Sequence, residues 1–263
     1  MGGRDGGGGD GPPVVPEART LRFHELAEAG HRILNPLSEA KLELLTEVAP
    51  PPAAGRHLDL ACGKGELLCR WARRFGGHGT GVDLSPVFLA EAAARAVELG
   101  VAERVRLVEA DAATYEAPPA AFATVSCLGA TWIGGGLVGT LALMAPALAP
   151  GGTLLVGEPY WHEPPPEDVR SALAQEGDFA DLVGTLERIE SAGWELVEMV
   201  LADGDDWDRY VASQWRTMSD WLRAHPSDPD APDFAAWLDG ARRAYLAYER
   251  RYLGWGVFVL RAA

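Results

Sequence analysis

The chain predicts an α/β fold built around a parallel sheet, and three features predict it. LDLACGKGE, from Leu58 to Glu66, is a buried-strand run that leads directly into a glycine turn and then a helix. Asp83 closes GTGVD and Asp111 closes RLVEAD, each after a short apolar run bounded by turn signals, as in neighbouring parallel strands. From about His57 to Glu158, strand-like and helix-like segments alternate, which is how a sheet acquires helices on both faces.

The elements follow in order. GGRDGGGGDGPPVVP has no periodicity and too little apolar surface to offset its ordering entropy, so residues 1–16 are expected to form a disordered Gly/Pro-rich tail. Residues 17–50 are expected to form a helical cap. Leu21, Phe23 and Leu26, then Ile33, Leu34 and Leu37, then Leu42, Leu44, Leu45 and Val48 give an amphipathic pattern, interrupted where Asn35-Pro36 forces a restart. A strand at His57–Leu60, a helix at Gly65–Phe75 and a strand at Gly79–Val82 come next. The helix Ser85–Leu99 is punctuated by Ser85 as N-cap, Pro86 at its first position and Gly100 as a left-handed stop. Strands at Val105–Glu109 and Ala123–Cys127 and a helix from about Leu137 to Leu148 precede APGG, expected as a turn, and TLLVGE, expected as a strand. A helix at Phe179–Ala192 and strands at Trp194–Leu201 and Trp255–Leu260 complete the core. Between those two strands, residues 207–252 form a helical insertion broken by HPSDPDAP; insertions of this length commonly serve as lids.

Composition narrows the function. With 23 basic against 38 acidic side chains, the net charge of −15 repels a phosphate backbone, so a small-molecule partner is expected and nucleic acid is not. The absence of a long apolar run or a basic-then-apolar leader predicts a cytoplasmic chain with no membrane partner. Three cysteines, Cys62, Cys69 and Cys127, are too few for a disulfide framework and suit a reducing compartment. No His/Cys cluster has metal-ligand spacing and no Gly-x-Ser-x-Gly elbow occurs, so neither a metal site nor serine-hydrolase chemistry is expected. A homodimer is left open.

Gly63 and Gly65 let the chain turn sharply and let a ligand approach the backbone amides that open the next helix. Taken alone, GKG is an ordinary strand-to-helix turn. With Asp59 before it, Asp83 after the second strand and Asp111 after the third, it is an ordered set suited to one adenosine-containing ligand. A carboxylate at the second strand's end accepts both hydrogen bonds of a ribose diol.

On these residues, from Ala53 to Glu158, the chain resembles the class I S-adenosylmethionine-dependent methyltransferases. Asp59, Ala61, Cys62, Gly63 and Gly65 stand in the family's first motif, with Ala61 replacing a frequent glycine. The resemblance implies that Asp83 binds the ribose hydroxyls with Leu84 packing on adenine, and that Asp111 bonds the adenine amino group with Ala112 beside it. It also implies that Leu128 and Gly129, in SCLGATW, line the methionine end. GWGVFVLRA then becomes an antiparallel last strand. The implied fold is a Rossmann-like seven-stranded sheet, six strands parallel and the last antiparallel, over residues 51–263. HRILNPLS, GATWIGGG and GEPYW resemble a bacterial branch acting on small molecules.

Methyl transfer from a sulfonium is an in-line displacement that depends on placing the nucleophile about 3–3.5 Å from the methyl carbon in a dry pocket. A base is needed only for an acceptor that arrives protonated. The expected catalytic candidates are His31, Glu158, Tyr160 and His162, with Trp132, Trp161 and Tyr210 as pocket walls and Trp207 and Trp215 as further aromatic candidates. Arg250 and Arg251 in YLAYERRY either meet an acidic substrate or belong to a solvated helix face. Two alternatives stand beside methyl transfer. One is a nicotinamide-dependent oxidoreductase, against which Leu68 occupies the third glycine's place; the other is a cofactor-binding module without transfer.

Overall fold

The computed structural model describes residues 17–173 and 178–263, so the expected tail at 1–16 lies outside the described residues. Seven strands, β1 (Arg56–Leu60), β2 (His78–Asp83), β3 (Val105–Glu109), β4 (Phe122–Leu128), β5 (Leu148–Trp161), β6 (Trp194–Leu201) and β7 (Leu253–Ala262), form one sheet in the order β3-β2-β1-β4-β5-β7-β6. β1 to β5 pair in parallel, and β7 runs antiparallel to both β5 and β6. Six strands therefore share one direction and the last opposes them, as the resemblance implied.

The central strands are buried on both faces, and the alternating direction of their side chains divides the core in two. On one face Leu58, Leu60, Val125, Leu154, Val156, Phe258 and Leu260 pack with Leu141 and Met144 of the helix Leu137–Met144. On the other, Leu155, Val257 and Val259 pack with Leu67, Trp71, Leu42 and Leu45. The period of two sends successive side chains to opposite faces, so one strand feeds both layers.

The flanking helices are α1 (Glu17–Ala27), α2 (Glu39–Val48), α3 (Glu66–Phe75), α4 (Pro86–Glu98), α5 (Leu137–Met144), α6 (Glu167–Leu173), α7 (Leu182–Ser191), α8 (Gly204–Ala224) and α9 (Ala231–Ala244). Ser85 caps α4 by accepting from Phe88 N at 3.0 Å, with Pro86 at its first position. Asp203 and Asp206 form a capping box on α8. Phe23 and Ala27 of α1 pack with Met218 of α8 and Phe234 and Leu238 of α9, so the two ends of the chain build one helical layer. Arg19 and Arg22 reinforce it through Asp228, Asp230 and Asp233.

Two local expectations need correction. APGG is not a turn between elements but part of β5: Phe122 pairs with Leu148 and Thr124 with Thr153, and the bulge is absorbed at Gly151, whose φ is +74°. The chain beyond Trp161, given no element by periodicity, forms α6, whose Val169 and Leu173 pack against Trp161, Phe179 and Tyr252.

Candidate active site

At the carboxyl edge of β1, β2 and β4 lies a cavity of about 330 Å³. Asp59, Ala61, Cys62, Gly63 and Gly65 line it from β1 and its turn, Asp83 and Leu84 from β2, Asp111 and Ala112 from beyond β3, and Leu128 and Gly129 from the end of β4. This is where open α/β sheets bind ligands, since adjacent strands diverge there to helices on opposite faces.

The turn is shaped by left-handed backbone. Gly63 and Gly65 have φ of +53° and +65°, and Ala61, at +54°, adopts the same region with a β-carbon. That conformation costs an L-residue about 1–2 kcal/mol. Ala61→Gly is therefore expected to stabilise the fold by about 0.5–1 kcal/mol after glycine's greater loss of backbone freedom is deducted, read as a higher denaturant midpoint at unchanged slope.

A β-carbon on Gly63 would run into Leu34, and one on Gly129 into Asn35, so the loop at residues 31–38 lies directly over the turn. Turned so that its amide nitrogen faces them, Asn35 donates to the carbonyls of Leu34 and Leu128, each at 3.2 Å. Asp83 accepts from Gly63 N at 2.7 Å and from Ser85 N at 2.9 Å, which fixes its carboxylate against the turn. Asp111 accepts from Ala113 N at 2.9 Å.

Asp59 is buried, and its carboxyl is pushed up to about 7 by burial, partly offset by a hydrogen bond from Ser126 and increased by the charge of Asp83. Lys64, on the same lining, is already engaged by Glu91 and two carbonyls, so a buried carboxylate facing this cavity favours a positive ligand.

Sequence reasoning missed a polar cluster behind the site. Lys64, between the two glycines, is buried; its Nζ donates to the carbonyls of Glu28 at 2.9 Å and His31 at 2.7 Å and pairs with Glu91 at 2.7 Å. The fully buried Glu28 carboxylate meets His31 Nδ1 at 2.6 Å and accepts from Tyr210 OH at 2.6 Å and Gln214 Nε2 at 2.5 Å. Tyr210 and Gln214 stand one turn apart on α8, so both reach one acceptor. His31 and Tyr210 stack with ring centroids 4.7 Å apart. The glycine turn, the 31–38 loop and α8 thus meet at one buried residue, Glu28, the turn through its backbone carbonyl and the other two through its carboxylate. The sequence held one weak signal, a lysine inside a turn that admits little side-chain bulk.

The structure brings Trp132 and Tyr210 to the cavity, Trp132 with 72% exposure at its mouth. His31 lies one layer back, its Nδ1 engaged by Glu28. Glu158, Tyr160, His162 and Trp161 do not line the cavity, which corrects their expected place there. β7 stays paired with β5 through Trp161 and Leu253, so Glu158, Tyr160 and Trp161 continue a strand, and His162 follows its end. Glu158 is buried and accepts from Thr131 Oγ1 at 2.5 Å, and burial raises its carboxyl to about 7. Tyr160 and Trp161 are core residues, and His162 is exposed. Trp207 and Trp215 also serve packing, and Arg250 and Arg251 pair with Asp208 and Glu163.

Sheet order, antiparallel seventh strand and cavity together define a methyltransferase fold, and residues 58–152 match the methyltransferase domain family. The chain belongs to the class I S-adenosylmethionine-dependent methyltransferases, and S-adenosylmethionine is its cofactor. It is 45% identical to the uncharacterized Escherichia coli protein YjhP over 244 residues, covering 92% of this chain and 98% of the relative. A Geobacter sulfurreducens S-adenosylmethionine-dependent methyltransferase, solved with S-adenosyl-L-homocysteine, is 45% identical with a TM-score of 0.87, covering 92% of this chain and 98% of that one. A trans-aconitate 2-methyltransferase of Streptomyces avermitilis is 28% identical over 268 residues, covering 91% and 93% of the two chains. These relatives favour methyl transfer over the nicotinamide reading.

Proposed function

We propose that this chain moves the methyl group of S-adenosylmethionine to a small-molecule acceptor enclosed beneath the α1–α8–α9 layer. The single observation that carries the proposal is the cavity itself: all the acids and glycines of the motif set line its floor, while Ile33, Asn35, Trp132 and Tyr210 line it from the cap, lid and β4 exit. A volume of about 330 Å³ admits a small ligand and excludes a folded macromolecule. One relative is named for methyl transfer to trans-aconitate, itself a small molecule.

The residues present fit the cofactor. The buried Asp59 carboxylate seeks a cation, the turn at Gly63 and Gly65 allows close approach, and the Asp83 oxygens keep free lone pairs beside their backbone donors. When bound, S-adenosylmethionine supplies a methyl group on a positively charged sulfur. Asp83 would hold the ribose hydroxyls, Asp111 and Ala112 the adenine edge with Leu84 against its face, and Leu128 and Gly129 the methionine end. Trp132 and Tyr210 would exclude water and orient the acceptor. Glu28 and His31 would hold Tyr210 in place without touching the acceptor.

Calorimetry with S-adenosylmethionine and S-adenosylhomocysteine tests the cofactor site. Asp83→Ala removes charge-assisted hydrogen bonds worth roughly 1.5–3 kcal/mol, so affinity should fall about 10- to 150-fold. Affinity unchanged in that variant would remove Asp83 from the site. Incubation of a cell extract with methyl-labelled cofactor should place label in the small-molecule fraction; label confined to protein or nucleic acid would overturn the acceptor class, and no transfer would favour the binding module.

A further inference from the structure

Behind Asp59 lies a second polar chain, with no part in the reading above. Ser126 Oγ, on β4, lies 2.5 Å from Asp59 Oδ1 and 2.7 Å from Nε2 of His57, on β1. Both partners are buried, and the His57 ring packs at 4.7 Å between centroids against Trp71. His57 Nδ1 is buried and has no hydrogen-bond partner. We propose that His57 and Ser126 are positioning residues for the cofactor, forming a polarised hydrogen-bond chain that keeps Asp59 charged and directed at the cofactor's cationic end. The proposal rests on the assignment of Asp59 to the cofactor.

A serine hydroxyl has one proton; the Leu58 carbonyl is a further acceptor for it but lies at 3.5 Å, so along the two short contacts the chain runs in one of two directions. If Ser126 donates to an ionised Asp59, it must accept from His57 Nε2–H, and the orphaned Nδ1 is then a bare acceptor. If Asp59 is protonated and donates to Ser126, Ser126 donates to Nε2, and the ring proton must sit on Nδ1, where it has no acceptor. A buried N–H left unpaired is rarer and costlier than an under-used acceptor, so the orphaned nitrogen biases the chain toward the carboxylate. Burial pushes the imidazole down to about 3, so His57 acts as a neutral donor. The titratable groups facing Asp59 are Asp83 at the end of β2, Cys62 in the turn, Cys69 on α3 and Cys127 on β4, and burial raises all three thiols. None of them is a cation. The only contact among these that favours the anion is the Ser126 hydrogen bond, which opposes desolvation and the charge of Asp83.

Burial pushes the Asp59 carboxyl up to about 7, and a bound cation favours its ionised form. Affinity for S-adenosylmethionine should therefore rise with pH up to about 7 and level off above, with proton release on binding below that point. The experiment is calorimetry from pH 5.5 to 8.5 in buffers of different ionisation enthalpy, which counts protons released. In Ser126→Ala the midpoint should move up by about one to two pH units, the worth of one hydrogen bond to a charged group. Ser126→Thr, which keeps the hydroxyl, should restore the original midpoint. Asp59→Asn should bind weakly and without that proton release. The cofactor's own amino group titrates alike in every variant, so the difference between variants isolates the chain. His57→Gln, which keeps a donor, should lie closer to the parent than His57→Phe. An unchanged midpoint in Ser126→Ala, with only a lower melting temperature, would assign the chain a structural role and overturn the proposal. Failure of the parent chain to bind either cofactor form at any pH would overturn the cofactor assignment as well.

Discussion

Glu28→Ala is expected to lower stability by about 3–5 kcal/mol, the scale for removing a fully buried charged acceptor whose partners stay behind. His31, Tyr210 and Gln214, all partly buried, would each lose a partner. For a chain of this length the melting temperature should fall by about 6–20 °C. Glu28→Gln keeps the volume and one acceptor oxygen and should lie between the two. The contribution also has a defined pH window. Burial raises the Glu28 carboxyl, but hydrogen bonds from His31 and Tyr210 and the charges of His31 and His24 outweigh it and hold it below the ordinary glutamate value of 4.5. With its folded value depressed, Glu28 stabilises fully above about 4.5, and that stabilisation is lost as pH falls through the lowered value. The Glu28→Ala variant should thus lose less stability on acidification below pH 4.5 than the parent chain. Equal acid sensitivity in the two would refute the linkage. Because the same carboxylate joins the cap to α8, cofactor affinity should weaken in the alanine variant too.

A loss of the same order is expected for Glu66→Ala. Glu66, buried at the first position of α3, takes Arg95 in a two-pronged pair at 2.7 and 2.8 Å and Arg70 at 2.6 Å. Its charge also sits at the amino end of a helix, where the backbone dipole favours an anion. Removing it leaves the largely buried Arg70 and Arg95 with only the exposed carboxylates of Glu39 and Glu98, so about 2–4 kcal/mol should be lost, measured as the denaturant midpoint. The cost reaches the glycine turn, because Gly65 immediately precedes Glu66 and its backbone packs on Ala92 of α4. A double substitution, Glu66→Met with Arg95→Leu, should recover part of the loss, since an apolar pair of similar volume avoids the stranded cation. If Glu66→Ala unfolds at the parent's midpoint, the pair carries no weight in the fold.

Much of the site was legible before the structure because its components are local. A strand ending in an acid, a turn that needs left-handed backbone, and a helix with Ser85 and Pro86 at its start all announce themselves within a few residues. Those segments lie where the strands' shared direction puts them, at one sheet edge, so Asp59, Asp83 and Asp111 converge without further instruction. The segment after Glu158 misled for the opposite reason. Its aromatics and histidine suit a pocket equally well as a strand paired to a distant β7, and local sequence does not distinguish the two.

The sequence by itself determined the α/β alternation, the order of the acids and the sharp glycine turn after β1, since each depends on periodicity and backbone preference within one element. Only the tertiary structure decided that Lys64 binds carbonyls of the cap, 33 and 36 residues away, and that Glu28 gathers donors from α8, 182 and 186 residues away. Which buried polar group meets which is set by the packing of whole helices on the sheet, and that distance information is not carried by any single stretch of chain.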